Sequence, residues 1–239
     1  MIVSSTKVQN NFGEYLKLAE KEDIIITRNG KKVARLVKYR KGDDYIIREG
    51  SSAYSHAGME VSYQEFLRIA EESENRYEYI DGKIYLLSSP SYKHQKIVRE
   101  ILTYFSGWFR DKDCEPLDSP FDVTLYKDEK NINVVQPDIL VICDQENIDE
   151  DENRYMGIPS LVVEVLSKST RNNDFIRKLD LYRASGVEEY WIINPFAEEI
   201  NIYIFANEEI KEMKTYKEDK KVKSSLFTGL EIKLNNIFA

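Results

Sequence analysis

The sequence predicts an α+β fold in which helices flank a mixed central sheet. Apolar residues recur at helical spacing over residues 92–109, which predicts one long amphipathic helix. Residues 160–166 read SLVVEVL, and such a nearly continuous apolar run is typical of a strand buried on both faces. Further hairpin and strand signals lie before and after these two segments, so the helices are expected to pack against a sheet.

The first fifty residues predict a small unit in the order strand, helix, hairpin. Ser5 is expected to cap a helix that begins at Thr6. Asn29-Gly30 lies between β-branched runs and predicts a hairpin, because a type I′ turn needs positive φ at both central positions. A unit of ~45 residues buries little surface alone, so we expect it to dimerise. The apolar face of its helix comprises Val8, Phe12, Leu16 and Ala19.

The remainder is predicted as a linker followed by one large domain. Gly and Ser residues mark the linker, and the predicted boundaries are 1–48 for the N-terminal unit, 49–60 for the linker and 61–239 for the domain. Ser62 to Glu65 form a capping box, which opens a helix to about Glu74. Asp81-Gly82 lies between two extended runs and predicts a second hairpin. Further strands are predicted at 121–126, 134–143, 160–166, 189–194, 200–205, 211–216 and 222–227, and a further helix at 173–184.

Charge and cysteine content bound the class of protein. Residues 1–50 carry 11 Lys or Arg and 7 Asp or Glu, a balance of +4, whereas the rest carries 23 and 35, a balance of −12. The N-terminal piece could thus attract phosphate, whereas the acidic remainder either is not suited electrostatically to DNA or holds its acids for another purpose such as metal binding. Cys114 and Cys143 form no metal-binding pattern and are predicted to be free thiols in a reducing cytoplasm. No apolar run approaches the ~20 residues that span a bilayer, so no membrane partner is expected.

Two carboxylates lie in apolar surroundings. Asp138 follows Pro137 within VVQPDILVI, interpreted as one strand, and Glu164 lies in the middle of LVVEVL. A charge buried in such a strand is costly unless it is paired or bound to metal. Neighbouring strands would bring both carboxylates together, and a divalent cation would relieve their repulsion. The alternative is that both lie at strand ends or on exposed faces.

Four ordered motifs then carry a family resemblance over roughly residues 61–205. They are RYEYIDGKIY…SPSYKHQ, QPDILVI, VVEVLSKST, and the run from Asp174 to Pro195 that ends in EYWIINP. Together they resemble the Uma-two family of restriction-endonuclease-like proteins, whose fold is the PD-(D/E)XK nuclease core. The resemblance implies that Asp138 and Glu164 are catalytic acids and metal ligands, with Glu78 as an additional acid. For Glu78, a cross-strand pairing with a lysine is the alternative.

The lysine departs from the simplest motif spacing, which would place it at Leu166. The resemblance implies that the following helix supplies it as Lys178, where its ammonium would stabilise developing charge or orient the attacking water. Lys178 shares a helix face with Asp174 and Tyr182, so an ordinary ion pair on a solvated face is the alternative. Lys168 is the other candidate lysine.

Other side chains near these motifs have open roles. His94 could carry a proton, contact substrate, or lie on the helix surface without a catalytic role. Ser167 and Thr170 could cap the following helix or touch phosphate. Tyr190 and Trp191 are expected to pack in the core.

The N-terminal segment SSTKVQNNFGEYLKLAEKEDIIITRNGKKVARLVKY resembles the N-terminal half of Phd/YefM-type antitoxins. Proteins of that family dimerise and bind operator DNA through this β-α-β-β segment, and a separate C-terminal tail neutralises a toxin. The tail has no counterpart here. The polar residues of this segment could contact DNA, or they could be ordinary solvated residues. They are Lys7, Asn10, Asn11, Arg28, Asn29 and Lys31.

These patterns lead to a cytoplasmic, Mg²⁺- or Mn²⁺-dependent endonuclease that hydrolyses DNA phosphodiester bonds. The N-terminal arm is expected to make it a homodimer and to bind DNA, with a toxin-like partner as a further option. The alternative function is a non-catalytic DNA-binding regulator of toxin–antitoxin type, built on a nuclease scaffold that no longer cuts. A nuclease toxin restrained by its own N-terminal segment is a third reading.

Overall fold

The computed structural model describes residues 1–19, 23–28, 30–36, 58–167, 173–218 and 220–238. The chain divides into two compact units, Met1–Glu49 and Gly50–Ala239. Among the helices of these described ranges, none is both long and apolar enough to cross a bilayer.

The N-terminal unit is a three-stranded sheet with two short helices. Its elements are β1 (Ile2–Ser4), α1 (Ser5–Asn10), α2 (Phe12–Ala19), β2 (Ile24–Arg28) and β3 (Lys31–Leu36). β1 pairs with β2 in parallel, and β2 pairs with β3 as the predicted antiparallel hairpin. Its core is small, as expected for so few residues, and consists of Val3, Val8, Ala19 and Ile24.

The predicted N-terminal helix differs from the observed one in two ways. Ser4, not Ser5, is the N-cap, and its hydroxyl accepts a hydrogen bond from Lys7 N. The helix is interrupted at Asn11, so that the predicted apolar face is divided between α1 and α2. Val8 and Ala19 of that face are buried, whereas Phe12 and Leu16 are 52% and 46% exposed.

The large unit contains the remaining helices and strands of the described ranges. They are α3 (Tyr63–Glu71), β4 (Tyr77–Ile80), β5 (Lys83–Leu86), α4 (Tyr92–Phe109), β6 (Glu115–Asp118), β7 (Asp122–Tyr126), β8 (Ile132–Val135), β9 (Ile139–Ile142), β10 (Ile148–Asp149), β11 (Arg154–Tyr155), β12 (Leu161–Val165), a π-helical turn (Asn173–Lys178), α5 (Leu179–Ala184), β13 (Glu189–Asn194), β14 (Glu199–Ala206), β15 (Glu209–Lys217), β16 (Lys221–Lys223), β17 (Glu231–Lys233) and α6 (Leu234–Phe238). The long helix at 92–109 and the strand at 189–194 are confirmed to the residue. Ser62 caps α3 as predicted, although the helix ends at Glu71 and not near Glu74.

The strands of the large unit form two six-stranded sheets and a two-stranded pair, β16 with β17, instead of one central sheet. The first sheet has the order β10-β11-β7-β8-β4-β5 and the second has the order β15-β14-β13-β12-β9-β6. Both are mixed, since β11 runs parallel to β7 and β12 runs parallel to β13 among antiparallel neighbours. The predicted α+β class with mixed sheets and flanking helices is confirmed, but the number of sheets was wrong.

The predicted strand at 134–143 crosses from one sheet to the other. Its first part is β8 in the first sheet, its second part is β9 in the second sheet, and residues 136–138 connect them. Pro137 cannot donate to a strand ladder, so pairing is interrupted there. Asp138 therefore lies immediately before β9 and not inside a strand, as the alternative interpretation allowed.

Apolar side chains fill the space between the two sheets. This inter-sheet core combines residues such as Ile80 and Val123 of the first sheet with Val162 and Ile192 of the second. Leu181 and Tyr182 of α5 lie in the same cluster. α4 covers the outer face of the second sheet, and α3 covers the outer face of the first. Tyr190 and Trp191 are fully buried, which confirms their predicted packing role.

The β4–β5 hairpin is the predicted second hairpin, and residues 58–60 run along its outer strand, β5. Asp81 and Gly82 both have positive φ, 51° and 76°, as a type I′ turn requires. Residues 58–60, predicted to belong to the linker, run beside β5, where Gly58 N donates to the carbonyl oxygen of Ile84 at 2.7 Å. The rest of the predicted linker, residues 49–57, lies outside the described residues.

The two cysteines are joined and not free. Cys114 and Cys143 form a disulfide that links the segment before β6 to the residue after β9 at the edge of the second sheet. The strand register places them opposite each other, because Glu115 pairs with Ile142. The prediction of two free thiols was wrong, and the cytoplasmic location stays a prediction without this support.

Gly157 occupies a position where no larger residue fits. A Cβ atom there would lie 2.5 Å from the hydroxyl oxygen of Tyr155 and 2.7 Å from Oδ2 of Asp144. Tyr155 is fully buried and donates a hydrogen bond to Asp144, so neither group can move cheaply. We expect Gly157→Ala to lower the free energy of unfolding by about 1–3 kcal/mol, as overpacking does elsewhere.

Urea denaturation followed by circular dichroism measures this loss. Gly107→Ala is the matched control, because a Cβ at Gly107 in α4 meets nothing within 4 Å. That variant should be neutral or slightly stabilising, since Ala is the better helix former. A Gly157→Ala protein that unfolds at the same urea concentration as the parent would contradict the prediction.

Candidate active site

A buried lysine joins two buried carboxylates across the inter-sheet core. The ammonium of Lys178 lies 2.7 Å from Oε1 of Glu78 and 2.8 Å from Oε1 of Glu164. All three residues are at most 4% exposed. Glu78 belongs to the first sheet and Glu164 to the second, so Lys178 bridges the two sheets. We call Glu78, Glu164 and Lys178 the acid–lysine triad.

Strand alternation accounts for the position of the two acids. In β12, Leu161, Val163 and Val165 face α4, which leaves Glu164 on the opposite side with the inter-sheet core. In β4, Tyr77 and Tyr79 face α3, so Glu78 also points to the inter-sheet side. The two acids thus approach each other at one end of an apolar layer. The prediction that Glu164 lies buried within a strand is correct, and the exposed-face alternative is not.

Lys178 is held in this layer by the helix that follows it. It is the last residue of the π-helical turn and directly precedes α5. Tyr182, one turn further on, donates from its hydroxyl to Oε1 of Glu164 at 2.8 Å. The predicted common face of Lys178 and Tyr182 is therefore real, but it is buried and not solvated. Nothing is described for the side chain of Asp174, the third residue of that face.

Each carboxylate of the triad has a second donor besides Lys178. The backbone N–H of Gln136 donates to Oε1 of Glu78 at 3.0 Å, and the hydroxyl of Tyr182 does the same for Glu164. The alternative interpretation of Glu78 as the cross-strand partner of a lysine does not hold, because its cross-strand neighbour is Tyr85. Its lysine partner is Lys178, from a different part of the fold.

Asp138 lies next to the triad through the backbone of β12. Its Oδ2 accepts a hydrogen bond from Val165 N at 2.7 Å, one residue beyond Glu164. The same oxygen lies 3.0 Å from Nε2 of His94. A carboxylate only accepts, so Nε2 carries the proton in this contact. Asp138 is thus positioned by both α4 and β12, although the structure shows no direct contact between it and the two glutamates.

His94 is buried near the start of α4 and not idle on its surface. Ser91 caps α4 by accepting from His94 N at 3.3 Å, which fixes the first turn. His94 is 8% exposed, and its Nδ1 is one of the buried side-chain atoms without a hydrogen-bond partner in the described structure. The sequence suggested His94 through its motif but did not reveal Asp138 as its partner.

For three further residues predicted near the site, the described structure gives no placement in it. Ser167 is half-buried two residues after β12. Thr170 and the alternative lysine Lys168 lie outside the described residues. Their part in the site stays a prediction.

An arginine and a tyrosine flank the triad on the side of the first sheet. The guanidinium of Arg177 lies over the ring of Tyr85, 4.9 Å from the ring centre. Burial, and secondarily the charge of Asp81, raises the pKa of Tyr85 to about 12. Burial also lowers the pKa of Arg177. The Tyr85 phenol therefore stays neutral at physiological pH.

The donor set suits a hard divalent cation, although a lysine is now paired with two of its three carboxylates. Carboxylate oxygens are the preferred ligands of Mg²⁺ and Mn²⁺, and Glu78, Asp138 and Glu164 supply them. Within the described ranges, however, no three His, Cys, Asp or Glu side chains are already gathered as a metal-binding group. The positive charge between Glu78 and Glu164 is the Lys178 ammonium. The carboxylates are therefore chemically suited to bind such a cation, and the partner of Glu78 and Glu164 in this structure is the Lys178 amine.

The N-terminal unit presents most of its predicted DNA-contacting residues to solvent. Lys7, Asn11, Arg28 and Lys31 are exposed, which both DNA contact and plain solvation would allow. Nothing is described for the side chain of Asn10, and Asn29 lies outside the described residues.

Comparison with known proteins agrees with this geometry. The profile of the Uma2 family, described as "putative restriction endonuclease", matches residues 63–235. The chain belongs to the Uma2 family. The match spans α3 to α6 and so includes every residue of the triad, Asp138 and His94.

Relatives and a solved structure extend the Uma2 assignment. Protein slr1290 of Synechocystis sp. is 31% identical over 144 residues, which are 60% of this chain and 73% of the relative. Protein sll1609 of the same organism is 24% identical over 140 residues, 58% of this chain and 77% of the relative. A crystal structure from Anabaena variabilis, described as a "putative nuclease belonging to DUF820", superposes with a TM-score of 0.62 at 22% identity. It covers 74% of this chain and 97% of its own, which shows a shared fold.

The N-terminal unit is similar to a different group. Residues 1–46 match the profile of the Phd_YefM antitoxins of type II toxin–antitoxin systems. The Uma2 chain therefore combines a nuclease-like domain with an antitoxin-like segment, as the resemblances predicted.

Proposed function

We propose that this Uma2 protein is a metal-dependent nuclease that hydrolyses DNA phosphodiester bonds. The observation that carries the proposal is the gathering of Glu78, Glu164 and Lys178 in one buried cluster, with Asp138 bonded to the residue beside Glu164. Buried charges of this kind are costly and are commonly kept for chemistry. Family membership supports the same reading.

Each residue has a defined task in the proposed reaction. Asp138 and Glu164 would hold Mg²⁺ or Mn²⁺, with Glu78 assisting. Bound there, the metal supplies an acidified water and neutralises phosphoryl charge. Val165 N and His94 fix the Asp138 carboxylate, while Tyr182 fixes Glu164. Lys178 would stabilise the charge that develops on the phosphate or orient the attacking water.

The N-terminal arm supports a dimeric, DNA-bound form in this proposal. Phe12 and Leu16 lie one turn apart on α2 and are about half exposed, which suits burial against a second copy. The exposed Lys7, Arg28 and Lys31 suit contacts to DNA phosphate. A toxin-like partner is the remaining proposal for this arm.

Incubation of the full chain with supercoiled, linear and single-stranded DNA tests the function. We expect cleavage with Mg²⁺ or Mn²⁺ and none with EDTA, and sedimentation of the same preparation should give twice the mass of one chain. Absence of cleavage of every DNA form at any metal concentration would overturn the nuclease.

A second candidate is the non-catalytic DNA-binding regulator. The observation that favours it is that Lys178 already forms ion pairs with both Glu78 and Glu164, so these carboxylates have a cationic partner without a metal. In that case DNA binding should persist in a mobility-shift assay while cleavage is absent, and added Mn²⁺ should not raise the melting temperature.

A further inference from the structure

The Lys178 ammonium stands where a cation between the two glutamates would stand. It contacts Oε1 of Glu78 and Oε1 of Glu164 at 2.7 and 2.8 Å, and its own side chain is 5% exposed. A second cation sharing these carboxylates would lie within a few ångströms of the ammonium in a water-poor layer. Two positive charges at that separation repel strongly, because burial weakens dielectric screening.

We propose that Lys178 and a divalent metal ion compete for the carboxylates of Glu78 and Glu164, so that metal binding displaces Lys178 from the triad. This inference rests on the proposed function, since it concerns the same acids. Lys178 is then a built-in cation that offsets one of the two negative charges of Glu78 and Glu164 when no metal is bound. Once displaced, the same ammonium becomes available to a bound phosphate.

The carboxylates can stay in place when the lysine leaves. Glu78 keeps the backbone N–H of Gln136, and Glu164 keeps the hydroxyl of Tyr182. Both donors are anchored, one in the backbone and the other in a fully buried side chain. Displacement of Lys178 therefore leaves two oriented carboxylates and not a collapsed site.

The backbone at Lys178 suits such a movement. Lys178 ends a π-helical turn and precedes the regular helix α5. Single π-helical turns within helices are uncommon and are frequent at functional sites. A change of this turn toward α-helical geometry would shift Lys178 relative to α5 while Tyr182, within α5, stays on Glu164.

Calorimetric titration of the full chain with Mn²⁺ tests the competition. Lys178→Met keeps most of the length of the side chain but removes its charge, and we expect it to bind Mn²⁺ at least tenfold more tightly than the parent. Tyr182→Phe is the matched control, because it removes the other side-chain donor to Glu164 without changing charge, and it should bind no more tightly than the parent. Equal or weaker Mn²⁺ binding by a folded Lys178→Met protein would overturn the proposal.

A second measurement uses the parent protein, in case Lys178→Met does not fold. Without metal, the buried Lys178 should resist acetylation by an N-hydroxysuccinimide ester, as read by mass spectrometry. With saturating Mn²⁺ its labelling should rise at least fivefold. Lys127, which is paired with Asp81 and Asp180 and not with the triad carboxylates, serves as the internal control and should not change.

The two measurements separate failure of the inference from failure of the proposed function. If Mn²⁺ binds the parent while Lys178 stays protected, lysine displacement is wrong and metal dependence stands. If Mn²⁺ binds neither the parent nor Lys178→Met, both the displacement and the metal-dependent function are overturned.

Discussion

Replacing Glu164 with Gln is expected to lower the rate of metal-dependent DNA cleavage by at least about 10³-fold, the equivalent of about 4 kcal/mol in the barrier. The amide has nearly the shape of the carboxylate and can still accept from Lys178 and Tyr182. It lacks the negative charge that would hold the metal, so chemistry should suffer far more than folding. Single-turnover nicking of a supercoiled plasmid measures the rate.

The design of this experiment guards against contaminating nucleases. Parent and variant are purified in parallel with Glu150→Gln, which alters an exposed acid in the loop between β10 and β11. Glu150→Gln should match the parent. If Glu164→Gln cleaves within tenfold of the parent, Glu164 is not a metal-holding residue.

The second large effect concerns stability and lies away from the candidate site. Glu189 is fully buried at the start of β13, and its carboxylate accepts from four donors. Trp191 Nε1 donates to Oε1 at 2.5 Å, while Ser225 N and Leu226 N donate to Oε2 at 2.7 and 2.9 Å. The hydroxyl of Ser224 is the fourth donor, at 3.2 Å. Glu189 thus fastens the segment after β16 to the second sheet.

Glu189→Ala should lower the free energy of unfolding by about 3–5 kcal/mol, because it leaves several buried donors without an acceptor. Glu189→Gln keeps an acceptor oxygen and should lose less. The neighbouring Glu188 is exposed, so Glu188→Ala should stay within about 0.5 kcal/mol of the parent. Urea denaturation followed by circular dichroism avoids reliance on Trp191 fluorescence. A Glu189→Ala loss below that of Glu189→Gln would contradict the account.

Local patterns in the sequence were sufficient for most elements and for the identity of the acids. Helical spacing of apolar residues was sufficient to predict α4, and an acid within an apolar strand marked Glu164. Both signals depend only on neighbours in the chain. The motif order added Glu78 and Lys178, which the structure brings into contact, while their catalytic roles stay predictions.

The features that depend on pairing between distant segments of the chain were not predicted from the sequence. The split of 134–143 between two sheets follows from the strand partners of β8 and β9, which periodicity does not encode. For the same reason Asp138 was placed inside a strand, and Cys114 was not matched with Cys143. The Asp138–His94 contact needs α4 to begin beside β9, which depends on packing between layers.

The acid–lysine triad has an evolutionary consequence, because its charges hold the first sheet to the second. Deleting Lys178 leaves two carboxylates without their shared cation, and deleting either glutamate removes one of the two carboxylates around a buried ammonium. Breaking a buried ion pair in this way typically costs about 3–5 kcal/mol, a large part of a domain's stability. Selection for folding alone would therefore preserve these three side chains in a lineage whose enzyme had lost its substrate. In such lineages, the first inactivating substitutions are expected at site residues that do not hold the two sheets together.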